Sequence, residues 1–284
     1  MQIYISFQHT EALDSISSIE HCLRHIKLWM SKHFLKINES KTKLMLISSK
    51  RYSNKALTDI CLSFGGSLIF PSLDAANLGV TFDHNMSMTK QINSVTSKGY
   101  FYLNNFYRVA DKLTIDLKVQ LITTFILPLV DYCNVVYTCA SRYYCQKLQK
   151  LLNSAVRFIF NLTGKKKHRL SLTPYFMKLH ILPIDYRMKY KVCLLVYKCI
   201  HGSAPSYLSD LISHNVVCSS LRSSSDFYSL HITIPNSNYG ESAFSYVAPY
   251  HWNMLPVKVR ESPSVETFKT TLKTHLYRQC YGTN

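Results

Sequence analysis

Acidic residues are scarce in this sequence. Its 284 residues include 16 Asp and Glu against 33 Lys and Arg, which gives a formal net charge of +17. No Asp-Asp, Asp-x-Asp or Asp-x-Glu pair occurs, although aspartates from distant strands could converge in the folded chain. A two-metal polymerase or nuclease needs carboxylates held close together, so we expect no such site here. The positive charge favours polyanions such as nucleic acid or an acidic membrane surface.

Long apolar runs and closely paired cysteines are also missing. The best apolar run, LITTFILPLV, is short and contains Pro128, so no transmembrane segment is predicted. The amino terminus lacks a signal-peptide pattern, and the nine cysteines include no Cys-x-x-Cys. We therefore expect a cytoplasmic or nuclear protein that is not secreted. No Gly-x-Ser-x-Gly, P-loop or Gly-x-Gly-x-x-Gly supports hydrolase or nucleotide-cofactor chemistry.

The cysteines and histidines give little support to a metal site. Cys133 and the next two cysteines are six residues apart, and six residues turn a helix by about 240°, away from a shared face. His21 and His25 would share one helix face beside Cys22, where a metal site competes with a solvated surface. We expect no metal site, and cysteines that serve as buried thiols.

Apolar periodicity predicts a short α+β part followed by helices. Up to about residue 85 we expect an opening strand, an amphipathic helix over residues 13–30 and further short strands. From residue 86 the spacing predicts helices near residues 92–106, 119–126 and 148–159. Pro128 should end or kink the second of these helices. The short strands are predicted in FLKI, KLMLIS, CLSFGGSLIF and LGVTF.

The chain after Pro174 is predicted to be a separate, mainly helical segment. IDYRMKYKVCLLVYKCIHG and APSYLSDLI show helical spacing, and a last helix should begin near Ser264. Residues 215–240 are rich in Ser and Asn and are interpreted as loops and short strands. The predicted fold class is therefore α+β.

Positive charge is concentrated in one stretch without acids. No Asp or Glu occurs from Tyr132 to Ile184. A solvated helix face followed by a basic loop would explain this stretch, and so would a track for a phosphate backbone. Aromatics such as Tyr143 and Tyr144 could stack on bases or fill a core. The candidate nucleic-acid-binding residues are Arg142, Lys147, Lys150, Arg157, Lys165, Lys166, Lys167 and Arg169.

Seven stretches form an ordered set that spans nearly the whole chain. They are WMSKHFLKINESKTKLML, NLGVTFDHNMSM, LPLVDYCNVVY, LQKLLNSAVRFIF, LHILPIDYRMKYKVCLLVYKCIHGSAPSYLSDLI, FSYVAPYHWNMLPVKVRES and FKTTLKTHLY. Taken together, this set resembles the carboxyl-terminal half of non-LTR (LINE-type) retrotransposon reverse transcriptases.

The resemblance implies three regions. Residues 1–85 would be a truncated palm, a partial α/β sandwich. Residues 86–170 would be a mainly helical thumb with the basic track, and residues 171–284 a mainly helical carboxyl-terminal region. In the family, the Asp-Asp pair that holds catalytic magnesium directly precedes a segment similar to the opening MQIYISF. We therefore expect this chain to be inactive alone and to hold no cofactor, whereas the full-length family enzyme would use Mg²⁺.

The resemblance also assigns residues in the palm-like region. Lys41 stands at the family's motif D lysine, a proton donor to pyrophosphate, although an exposed turn lysine is the interpretation that applies in an isolated chain. The primer-support segment corresponds to Asn77, Leu78, Gly79 and Val80, whose plain interpretation is a strand with a bulge.

The sequence thus predicts a fragment of an RNA-directed DNA polymerase. We expect it to bind RNA and DNA without sequence specificity and in a salt-dependent way, with no membrane partner and no small-molecule substrate. The alternatives are a nucleic-acid-binding or interaction module, or a decayed open reading frame without function.

Overall fold

A computed structural model describes residues 2–38, 41–47, 60–162, 170–214, 229–235, 237 and 240–282. Across these ranges the chain is mixed α and β but mostly helical, with two small antiparallel sheets, as an α+β class requires. It divides into two compact units, Met1–Lys90 and Gln91–Asn284. The three regions bounded at residues 85 and 170 stay a prediction. No helix in the described ranges has the length and apolar character needed to cross a bilayer.

The first unit contains one long helix and two β-hairpins. Apolar residues at three-and-four spacing make the helix amphipathic, and Glu11 accepts a hydrogen bond from the Gln8 backbone N–H at its start. The elements are α1 (Ala12–Lys32), β1 (Leu62–Phe64), β2 (Ser67–Ile69), β3 (Asp74–Asn77) and β4 (Val80–Asp83).

Both hairpins turn through two residues with positive φ. Gly65 and Gly66 (φ 66° and 89°) join β1 to β2, and Leu78 and Gly79 (φ 48° and 80°) join β3 to β4. Positive φ at both central positions suits the twist of a tight hairpin, which is why glycine is favoured there. The strands predicted in CLSFGGSLIF and LGVTF are confirmed, whereas β3 was not predicted.

Three other predicted strands are wrong within the described residues. Residues 2–8 and 35–38 form no strand, and in KLMLIS only Leu44 makes a single bridge, to Pro71. An alternating apolar pattern becomes a strand only where a neighbour accepts its backbone hydrogen bonds. In the described part of the first unit, the only such pairing of these segments is the short contact at Leu44, where the carbonyl accepts a hydrogen bond from the Ser72 N–H at 2.8 Å.

The core of the first unit is small. Among its described residues, one buried apolar cluster consists of Leu23, Leu62 and Phe64, with partly buried residues around it. Three further apolar residues of the unit are buried, namely Ile60, Val80 and Met88. Two polar contacts join the helix to β1. The Glu20 carboxylate accepts a 2.6 Å hydrogen bond from the Ser63 N–H, and the Lys27 ammonium lies 5.6 Å from the centre of the Phe64 ring.

The second unit is helical in its described part, apart from one isolated bridge between His214 and Leu230. Its helices are α2 (Thr89–Tyr107, which begins just before the unit boundary), α3 (Ile115–Leu121), α4 (Leu127–Asp131), α5 (Arg142–Ile159), α6 (Thr173–Lys178), α7 (Ile184–Ile200), α8 (Ser206–Ser209), α9 (Phe244–Asn253), α10 (Val257–Arg260) and α11 (Val265–Tyr281).

Several of these helices confirm the sequence prediction. The irregularity expected at Pro128 is a π-helical turn, Ile122–Ile126, between α3 and α4, because proline cannot donate to the preceding turn. Ser264 caps α11 by accepting a hydrogen bond from the Thr267 N–H at 3.2 Å.

The second unit has a continuous aromatic and aliphatic core where α7, α9 and α11 pack. Trp252 is completely buried, and its ring lies 5.7 Å from that of Phe268. Tyr197 stacks on Phe268 at 4.3 Å, and its hydroxyl donates a 2.6 Å hydrogen bond to the Ser262 carbonyl. These buried contacts hold the carboxyl-terminal helices to α7.

Candidate nucleic-acid interface

Helix α5 carries the described part of the predicted basic track. Its buried face includes Leu148, Leu151, Leu152 and Ile159, which have the spacing of an amphipathic helix. Gly99 of α2 allows close packing here, since a Cβ at this glycine would lie 2.4 Å from Leu151 Cδ2. The buried face fixes which way the basic residues point.

Three of the basic residues point away from that core. Successive helix residues are rotated by about 100°, so Arg142, Lys150 and Arg157 lie within a sector of about 80°. They span about 22 Å along the helix axis. Arg142 and Lys150 are exposed, and Arg157 is half-buried. We call these three residues the α5 basic face.

The α5 basic face has no carboxylate partner within the described chain. None of its three residues forms an ion pair there, and the sequence from Tyr132 to Ile184 supplies no acid nearby along the chain. Arg157 also has a buried Nε atom with no hydrogen-bond acceptor among the described residues. Unneutralised guanidinium and ammonium groups in a row form a surface that attracts anions.

Lys147 differs from the other basic residues of the helix. Its ammonium donates a 2.9 Å hydrogen bond to Asn93 Oδ1 and lies 5.2 Å and 5.3 Å from the rings of Tyr143 and Tyr144. It therefore links α5 to α2 by a hydrogen bond and contacts two aromatic rings. Tyr143 remains 59% exposed, which leaves its ring accessible for stacking.

Tyr107 is a neighbour of the basic face that the sequence did not single out. Burial raises the pKa of its phenol, and the nearby Arg157 charge acts in the opposite direction. Its ring packs edge-on against Phe158 at 5.1 Å. The hydroxyl thus stays protonated at neutral pH beside a guanidinium group. No motif signalled Tyr107, because its place depends on the packing of α2 on α5.

The remaining predicted binding residues are outside the described chain. Lys165, Lys166, Lys167 and Arg169 follow α5 in sequence, within residues 163–169. Their role stays a prediction.

The residues assigned by resemblance to the palm lie in the first unit. The Lys41 backbone N–H donates to the carbonyl and side-chain oxygens of Asn38, at 3.2 Å and 3.1 Å. Lys41 therefore sits in an Asn-stabilised turn, exposed to solvent. The segment from Asn77 to Val80 is the tight turn of the second hairpin and contains no bulge. Asn77 Nδ2 donates to Gln2 Oε1 at 2.8 Å.

The titratable side chains offer no assembled metal centre in the described residues. His21 and His25 approach to 3.2 Å between their Nε2 atoms on exposed α1, but no group of three His, Cys, Asp or Glu that could hold an ion occurs in the ranges described. The eight cysteines described are free, and burial raises the pKa of Cys193 to about 12. Such a thiol is inert at neutral pH.

Comparisons of the chain with protein-family models, with curated proteins and with solved structures give no match.

Proposed function

We propose that this chain is related to the carboxyl-terminal half of non-LTR retrotransposon reverse transcriptases and binds RNA and DNA backbones through the α5 basic face. In this proposal the first unit corresponds to part of a palm, and α2 to α5 correspond to a thumb. The helices that follow correspond to the carboxyl-terminal region of these enzymes. The ordered sequence resemblance supports the family, and the α5 basic face supports the binding.

The observation that carries the binding proposal is the lack of counter-charge on α5. Arg142, Lys150 and Arg157 line one side of the helix without a described carboxylate partner. A phosphate backbone that neutralises these groups releases its condensed counterions, which drives binding without sequence preference. The exposed Tyr143 ring beside Lys147 adds a surface on which an unpaired base can stack.

We also propose that this chain supplies binding and not polymerisation. The family's magnesium ions need paired aspartates, and the described residues contain no cluster of three metal-ligating side chains. The described residues therefore do not fit that ion. Lys41 and the turn at Asn77–Val80 keep the roles in proton donation and primer support that the resemblance implies, to be tested in a protein that includes the catalytic aspartates.

Charge reversal tests the binding proposal. Arg142→Glu with Lys150→Glu should weaken binding to a fluorescein-labelled single-stranded RNA by about tenfold or more, because two phosphate contacts become repulsive. The control is Lys32→Glu with Lys258→Glu, which changes the net charge equally at two exposed positions on other helices. If both double variants weaken RNA binding equally, the loss depends only on the net charge, and the proposal of a defined interface on α5 is refuted.

Tyr143 gives a second test of the same surface. Tyr143→Ala should weaken binding of single-stranded RNA by about 1–3 kcal/mol and leave duplex DNA binding nearly unchanged, because only unpaired bases offer a free face for stacking. An equal loss for both nucleic acids would argue that the ring shapes the helix surface and does not stack.

A protein-interaction module is a second candidate, favoured by one observation in the first unit. Large apolar side chains there are exposed, including Tyr4 at 91%, Leu13 at 79% and Phe34 at 99%. Where exposed apolar side chains form a continuous patch, they mark sites of protein association. Sedimentation over a concentration series tests this candidate, which predicts self-association that Leu13→Ser and Phe34→Ser abolish.

A further inference from the structure

A second basic site lies in the second unit, in a pocket of about 370 Å³. Its apolar wall comes from α3, the π-helical turn, α4, α5 and the segment before α7, and includes Ile122, Leu127, Ile159 and Ile181. Ile159 is two residues from Arg157, so it is rotated by about 200° from that residue around α5. The pocket therefore lies on the opposite side of α5 from the α5 basic face.

Helices α7 and α11 supply the basic groups of this pocket apart from His180, and Thr123 and Asp131 also line it. Arg187, Tyr190 and Lys191 share one face of α7 by their spacing, and Lys273 comes from α11. Two tyrosines on the same face of α11 fasten the pocket wall. Tyr277 donates to the Met177 carbonyl at 3.0 Å, and Tyr281 donates to the Ile181 carbonyl at 2.6 Å.

The cations of the pocket are not equivalent. Arg187 forms a two-bonded ion pair with Asp131, in which its Nε donates to Oδ1 at 2.7 Å. Lys191 and Lys273 have no carboxylate partner in the described part of the chain. The ion pair is internally neutral, so the two lysines leave the pocket with an uncompensated positive charge of about two.

The combination of an apolar wall and two unpaired ammonium groups selects a particular ligand chemistry. A phosphate matches the lysines, and a flat apolar group matches the aliphatic wall. Tyr190 adds an aromatic face, and burial raises the pKa of its phenol, so the hydroxyl stays neutral near an anion. A volume of about 370 Å³ suits one nucleotide-sized ligand.

We propose that this pocket binds a nucleoside monophosphate, free or as the phosphorylated end of a nucleic-acid strand. Lys191 and Lys273 hold the phosphate, and the base lies against the aliphatic wall and Tyr190. This departs from the sequence-based expectation of no small-molecule ligand. The inference does not rest on the α5 basic face, because it uses different residues on the other side of that helix.

Calorimetric titration of the intact chain with adenosine monophosphate tests the proposal. The monophosphate should bind about tenfold or more tightly than adenosine, since a charge-assisted phosphate contact is lost in the nucleoside. Lys191→Gln with Lys273→Gln should erase that difference. The matched control, Lys258→Gln with Lys269→Gln, removes the same charge outside the pocket and should keep it.

Further titrations show whether the phosphate belongs to a free nucleotide or to a strand end, and whether this proposal fails separately from the proposed function. Tighter binding of a 5′-phosphorylated dinucleotide than of the free monophosphate assigns the site to a strand end, and the reverse order assigns it to a free nucleotide. Equal affinity for inorganic phosphate and the monophosphate would overturn the proposal and leave a simple anion site. Arg142→Glu with Lys150→Glu should not alter monophosphate binding, so the two proposals fail independently.

Discussion

The two units of this chain bury their apolar side chains very unequally. In the described part of the first unit, one cluster contains three buried apolar residues, whereas one cluster in the described part of the second unit contains fourteen. The two tryptophans of the chain show the contrast directly. Trp29 on α1 is 57% exposed, and Trp252 on α9 is 0% exposed. The same residue type therefore serves as surface in one unit and as the centre of the core in the other.

This difference indicates which unit contributes more to the stability of the fold. Two-stranded hairpins are marginal in water unless they pack on a larger apolar surface, and the three-residue cluster offers little of it. The helices around Trp252 share a cluster of fourteen buried apolar residues, and the stabilisation from such burial grows with the apolar area removed from water. We therefore expect the second unit, which carries both proposed binding sites, to unfold last.

Replacing each tryptophan in turn should give the largest difference in the free energy of unfolding between the two units. Trp252→Ala should lower the free energy of unfolding by about 3–5 kcal/mol, because it leaves a cavity beside Phe268. Trp29→Ala should change it by about 0.5 kcal/mol or less, since the ring faces solvent. Urea unfolding followed by circular dichroism measures both values. Similar losses in the two variants would remove the proposed asymmetry.

Substitution of the glycine where α2 crosses α5 should cause the next largest loss of stability. Gly99→Ala should destabilise the second unit by about 1–3 kcal/mol, because the new methyl group overlaps the buried Leu151 side chain. Ser97→Ala, on the exposed side of the same helix, is the control and should be neutral or slightly stabilising. A stable Gly99→Ala protein would show that α5 can move away without cost.

Acid should weaken the second unit through a half-buried histidine. Burial and the nearby Lys189 charge lower the pKa of His251 to about 4, against about 6.5 in the unfolded chain. The unfolded chain binds more protons in that window, so stability is full above pH 6.5 and falls as the pH drops towards 4. We expect a loss of about 2 kcal/mol, reduced by the partial exposure of the ring.

His251→Gln isolates that contribution. Unfolding measured from pH 7 to pH 4 should show a flatter profile for this variant, with a smaller slope remaining because burial also lowers the pKa of His275. Identical profiles for the variant and the native chain would assign the acid sensitivity to other groups.

Local patterns in the sequence predicted the parts of this fold that depend on neighbours along the chain. The apolar spacing of α5 was sufficient to predict a helix with Lys150 and Arg157 off its apolar face, whereas the start of the helix at Arg142 was not predicted. The paired glycines after Phe64 predicted the first hairpin, because only a tight turn with positive φ uses them well.

The features that could not be predicted depend on contacts between residues that are far apart in the sequence. Lys147 was predicted as part of the binding track, but Asn93, 54 positions away, accepts its hydrogen bond. Asp131 and Arg187 are separated by 56 positions, so nothing local indicated their ion pair or the pocket beside it. Helix α9 was missed because Pro249 lies inside it, and proline normally argues against a helix interior.

The salt dependence of RNA binding by the intact chain tests the central claim most directly. If the α5 basic face neutralises phosphates, the logarithm of the binding constant should fall with the logarithm of salt concentration with a slope of about −2 or steeper, at about −0.7 per contact with a single strand. Duplex DNA should show the same trend. Weak binding with a slope near zero would contradict the claim and leave the positive charge of this chain without a nucleic-acid partner.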